Sequence, residues 1–153
     1  MKLYNLFSKM SHAVLVSVWV KTIFRSFPGD NQTTVKVTAL GDMLYELYKH
    51  SSNTALLADL ALNLLLSIFD PSRDGNIPLI CIKTGLVALC GAQLEEKYRY
   101  LFTAASGASK SLNQADLKKL VYSWTQIPHL LGEAQAFGGL DPDATVKSAF
   151  EYR

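Results

Sequence analysis

Residues 55–69 limit the fold more than any other stretch. The run is apolar nearly all round, and its only polar residues, Asp59, Asn63 and Ser67, fall four apart on one narrow face. A helix of that composition has to be buried on most sides, so it predicts a central helix against which others pack. Directly after it comes Asp70-Pro71-Ser72-Arg73-Asp74-Gly75-Asn76-Ile77-Pro78, a polar segment dense in turn-forming residues. A second apolar run, residues 79–90, follows and ends at Gly91. Pro78 stands where that second helix begins, a position where a missing N–H costs little. The pattern dictates a tight helix–loop–helix in the middle of the chain.

The flanking segments are also helical in pattern. Leu3, Phe7, Met10 and Val14 follow helical spacing. Val14, Val16, Val18 and Val20 alternate as a strand would, but the surrounding pattern favours one or two helices over residues 3–27. Pro28-Gly29-Asp30-Asn31 is a break. Leu40, Met43, Leu44, Leu47 and Tyr48 form one apolar stripe of an amphipathic helix over residues 38–50. Thr54 is the expected cap of the helix that follows. Beyond Gly91, residues 93–104 read as a helix rich in charges and aromatics. Ser111 and Gln114 then read as a capping box opening a helix through Leu117, Leu120, Val121 and Trp124. Ile127-Pro128 is expected to interrupt that helix, and Asp141-Pro142-Asp143 to open a last one carrying Val146, Ala149 and Phe150. The class is all-α, organised as two successive helix–loop–helix regions, residues 1–91 and 92–153, with the last unit truncated.

Composition narrows the function. With 49% of its 153 residues apolar and 18% charged, the chain can build a core and is not a disordered one. A net charge of +2 without a basic stripe argues against nucleic-acid binding. Cys81 and Cys90 on one helix would lie about 13 Å apart along its axis, too far for a disulfide. Two unpaired cysteines suit a reducing compartment. The apolar run at residues 13–20 is short for a signal peptide and lacks a small-residue cleavage site, so it reads as core helix. No stretch reaches the roughly 20 apolar residues that span a bilayer.

The central loop has the form of an EF-hand. Asp70, Ser72 and Asp74 take positions 1, 3 and 5, Gly75 the sharp turn at 6, and Ile77 position 8; Asn76 offers its carbonyl. Asp70, Ser72, Asp74 and Asn76 are therefore the candidate calcium ligands. Position 12, where a bidentate Glu closes a calcium shell, is Cys81, a soft ligand that a hard cation does not choose. The expectation is a degenerate loop held by its own side chains, with a calcium-sensing EF-hand as the alternative. Aligning Leu112 with Ile77 puts the uncharged Ala105, Gly107 and Ser109 at the ligand places of a second loop. His12, His50 and His129 have no metal-ligand partner at helical spacing. No nucleophile elbow, P-loop or Rossmann signature is present, so catalytic and cofactor-binding residues are expected to be none. Tyr98, Arg99 and Tyr100, with Phe102, are candidate partner-binding residues, because aromatics and Arg dominate interface hot spots. Against this, Tyr98, Leu101 and Phe102 at helical spacing are expected to face a core.

Several long, co-linear segments resemble the EF-hand-like region of the dystrophin, utrophin and dystrobrevin family. They are Lys83-Thr84-Gly85-Leu86, residues 94–102 (LEEKYRYLF), Gln126-Ile127-Pro128, Leu131-Gly132-Glu133 and Phe137-Gly138-Gly139, together with the helix around Leu62-Asn63-Leu64-Leu65-Leu66. Phe69-Asp70-Pro71 and Leu89-Cys90-Gly91 are similar to dystrobrevins. The other segments look more like dystrophin and utrophin, the side slightly favoured. The resemblance implies a non-catalytic scaffold that lies between a WW module and a ZZ zinc finger. With them it would grip the cytoplasmic tail of β-dystroglycan at the inner face of the plasma membrane, linking the membrane glycoprotein complex to the cytoskeleton. It implies other dystrophin-complex proteins as partners and no small-molecule substrate. No cofactor is expected in this chain, since zinc would sit only in a ZZ finger outside it.

Overall fold

The computed structural model describes Arg25, residues 33–137 and residues 141–151. The expectations for residues 3–24, for His12 and for the break at residues 28–31 lie outside this range. The described chain begins with a short strand, β1 (Thr34–Lys36), that runs directly into α1 (Val37–Tyr48). Helix α2 (Thr54–Phe69) leads to the central loop, strand β2 (Asn76–Pro78) and α3 (Leu79–Leu89). Then come α4 (Leu94–Ser106), a 3-10 turn (Gly107–Ser109), α5 (Gln114–Leu130), a second 3-10 turn (Ala134–Phe137) and α6 (Pro142–Glu151). Helix–loop–helix organisation is as expected; the two strands are an addition to it.

The strands pair antiparallel, with Thr34 opposite Pro78, Val35 opposite Ile77 and Lys36 opposite Asn76. The Val37 N–H donates to the Gly75 carbonyl at 3.0 Å and the Leu79 N–H to the Thr33 carbonyl at 2.9 Å, so the ladder runs into both following helices. Val35 and Ile77 are both buried at the crossing. A three-residue strand is too short to persist unaided. Here the register is fixed because a slip by one residue would turn Val35 and Ile77 out to solvent. Val35 thus precedes α1 as Ile77 precedes α3.

All five apolar residues assigned to the stripe of α1 are buried. On α2 the polar face closes on itself. Asn63 Nδ2 donates to the Asp59 carbonyl at 2.9 Å and to Asp59 Oδ1 at 3.1 Å, and Ser67 Oγ donates to the Asn63 carbonyl at 2.7 Å. Thr54 does not cap α2 from the flanking position. It is the first helical residue, and its hydroxyl reaches back to the carbonyls of Tyr48 (2.9 Å) and Ser51 (3.0 Å), tying the start of α2 to the turn that follows α1.

Helix α3, rather than α2, is the most enclosed element. Leu79, Ile80, Ile82, Leu86, Val87 and Leu89 are buried, and so are Lys83, Thr84 and Gly85 between them. One face joins the main core with α1 and α2, while Ile80 packs with Ala104 and Ala105 of α4. Cys81 belongs to both groups, and its Sγ lies 3.4 Å from Ser123 Oγ on α5. Lys97 of α4 donates to the Ala88 carbonyl at 3.2 Å, a cation at the C-terminus of α3 where the helix dipole favours one.

Gly85 sets how closely α2 and α3 cross. A Cβ there would overlap Leu65 Cδ2 and stand 2.9 Å from Phe69 Cε2. Leu65 is fully buried and has little room to retreat. Gly85→Ala is expected to lose about 1–3 kcal/mol by overpacking, read as a lower urea midpoint with unchanged m-value. An unchanged midpoint would mean that α2 shifts freely.

Farther on, Ser111 is not the cap of α5. Asn113 is: its Oδ1 accepts from the Asp116 N–H at 2.8 Å while its Nδ2 donates to Asp116 Oδ2 at 2.7 Å. Nor does Pro128 break the helix, which continues to Leu130 with Pro128 buried in its last turn. So close to the end the missing N–H withdraws one bond and little helix lies beyond it. The Leu131 N–H still reaches the Ile127 carbonyl at 3.3 Å, and the Glu133 N–H reaches that of Pro128 at 2.8 Å. Helix α6 opens with Asp141 Oδ1 accepting from the Asp143 N–H at 2.9 Å. It buries Val146 and is tied to α5 by the Lys118–Asp143 ion pair at 2.6 Å.

Burial also sets the pH response. Desolvation pushes the fully buried Tyr48 phenol far above its ordinary 10.0, and pushes the Cys81 thiol above 9.0 against a weaker opposing hydrogen bond from Ser123. Both groups keep their protons in the fold at pH values where the unfolded chain has lost them. Their stabilising contribution is complete below 9 and falls as pH rises past it. Burial lowers Lys83 below 10.5, which gives the opposite slope over the last part of that range. The expected net result is a loss of stability between about pH 9 and pH 11, at up to about 1.4 kcal/mol per unit for Tyr48 alone. Urea midpoints across that range would measure it. Tyr48→Phe should flatten the curve, and a parallel curve would reject Tyr48 as its source.

Candidate functional site

Two places carry the residues singled out in the sequence. The first is the central loop. Asp70, at the end of α2, is 2% exposed. Its Oδ1 accepts from the Asp74 N–H and its Oδ2 from the Gly75 N–H, both at 2.9 Å, while its carbonyl accepts from the Arg73 N–H at 3.1 Å. Asp74 Oδ1 in turn accepts from the Asn76 N–H at 2.8 Å, and Asn76 Nδ2 donates to the Asp74 carbonyl at 3.2 Å. Both carboxylates are thus engaged with the loop's own backbone. Ser72 is exposed. Gly75 has φ 80°, the left-handed turn that its position requires, and Arg73 shares that region at φ 58°. Cys81, at position 12, lies in the first turns of α3 with its sulfur beside Ser123. Among the described residues no three of His, Cys, Asp and Glu come together as a metal would need. His50 and His129 are both exposed.

The loop between α4 and α5 shares one backbone feature with the central loop, a left-handed residue at the sharp turn. Lys110, at the place corresponding to Gly75, has φ 53°. Leu112 packs on the cluster of Ile80, Ala104 and Ala105. The Ser109 hydroxyl lies 2.6 Å from the Ser106 carbonyl and 2.9 Å from that of Ser111, its one proton shared between them.

The second place is a groove of 490 Å³ between α4 and α5, with Thr145 of α6 at its edge. Leu101 forms part of its buried floor. Tyr98 and Phe102 do not pack inside; they are 56% and 45% exposed. The Tyr98 ring lies 6.4 Å from that of Trp124, tilted by 48°. Arg99 is on the solvent side in an exposed pair with Glu95 at 3.1 Å, and Tyr100 is half-buried. Of the three partner-binding candidates, then, only Tyr98 lines the groove. Trp124 and Pro128 line it too, though the sequence marked them only as a helix residue and a breaker. The lining is mostly apolar, with Tyr98, Thr125 and Thr145 as its hydroxyls. Such a surface can bury apolar groups but holds no acid–base pair.

The comparisons with known proteins agree with the helix–loop–helix fold. An EF-hand profile matches residues 1–90, and a second EF-hand profile matches residues 94–153. Dystrophin-related protein 2 of mouse and of human are each 36% identical over 116 residues, which is 76% of this chain and 12% of the relative. Isoform B of dystrophin from Drosophila melanogaster is 36% identical over 123 residues, 79% of this chain and 7% of the relative. The chain belongs to the EF-hand family, in its dystrophin type. It spans only a small part of the length of these relatives, and what the whole relatives do is a separate question. No helix among the described residues is long and apolar enough to cross a membrane.

Proposed function

We propose that this dystrophin-type region is a non-catalytic support, and that its two EF-hand-like loops act as fixed elbows rather than ion sensors. The observation that carries this reading is the Asp70 carboxylate, buried and bonded through both oxygens to the backbone N–H groups of its own loop. A carboxylate used in this way holds the angle between α2 and α3 without an ion. With a WW module and a ZZ finger from the same protein, the region steadies the surface that takes the cytoplasmic tail of a β-dystroglycan-type glycoprotein. That places it at the inner face of the plasma membrane, among other dystrophin-complex proteins, as part of the link to the cytoskeleton. Zinc belongs to the ZZ finger, and neither nucleic acid nor a small-molecule substrate has a place in this reading. Of Tyr98, Arg99 and Tyr100, the reading sets Tyr98 against a partner, because its ring is open beside Trp124.

The test is a titration of the dystroglycan tail peptide against a WW–EF–ZZ protein carrying this region and against the WW module alone. The expected result is at least about tenfold tighter binding with the region present, about 1.4 kcal/mol. Equal affinities would overturn the supporting role.

A further inference from the structure

We draw no further inference here: the strongest candidate, the apolar groove between α4 and α5 bordered by Tyr98, Phe102 and Trp124, belongs to the site already described, and nothing in the structure shows what covers it.

Discussion

Leu86→Ala is expected to lower stability by about 2–5 kcal/mol, a fall in Tm of about 2–4 °C for each kcal/mol in a chain of this size. Leu86 is fully buried on α3, in the core that α1 and α2 share. Removing its isobutyl group leaves a cavity that neighbours can close only by moving α3. That helix is pinned on its other side by Ile80 against Ala104 and Ala105, and by Cys81 against Ser123. The loss should therefore reach α4 and α5. In a Trp19→Phe background, fluorescence from Trp124 on α5 and far-UV circular dichroism should give one transition at the same lowered midpoint. Two transitions, with Trp124 reporting an unshifted one, would mean that residues 1–91 and 92–153 fold independently and that α3 is not their common wall.

The helices were legible because their signal is local. The stripe from Leu40 to Tyr48 repeats at the helical period and is buried along its length, and the run at residues 55–69 keeps its polar residues four apart on one face. Elements whose existence depends on a distant partner were not. Thr34-Val35-Lys36 is β-branched enough for a strand, yet it becomes one only because Ile77 lies opposite Val35. The caps failed for a related reason. Thr54 and Ser111 are chemically able to cap the helices they precede, but each sits beside a better use or a better neighbour. Thr54 can reach the Tyr48 carbonyl at the end of α1, and Asn113 stands one residue before α5 with Asp116 three residues on.

The groove was legible only in half. Tyr98, Leu101 and Phe102 share a helical face in sequence, and a shared face is normally a buried one. Only Leu101 meets that expectation, since burial of Tyr98 and Phe102 depends on how far α4 and α5 diverge across their loop. Trp124 could have been paired with Tyr98 only by knowing that α4 and α5 run side by side.

Asp70→Ala is the second large effect, and it decides between the two readings of the central loop. The substitution strips acceptors from the N–H groups of Asp74 and Gly75, bonds of the charge-assisted kind. Leaving partly buried donors unpaired is expected to cost about 2–4 kcal/mol in total, with Asp70→Asn losing less because one acceptor oxygen remains. The same loss follows under either reading, so stability alone does not separate them; the response to calcium does. A sensor with a micromolar Kd, placed in millimolar calcium, would gain about 4 kcal/mol from binding. In a chain of this size that is a rise in Tm of about 10 °C, and Asp70→Ala would abolish it. An elbow whose carboxylate already serves the backbone should give no rise in the unsubstituted chain and the same deficit for Asp70→Ala with calcium or with chelator. Position 12 explains why the second outcome is expected. Even if the Asp70 bonds opened, Cys81 is packed toward Ser123, and a calcium ion would find Asp70, Ser72, Asp74 and one carbonyl where it needs six to eight oxygens.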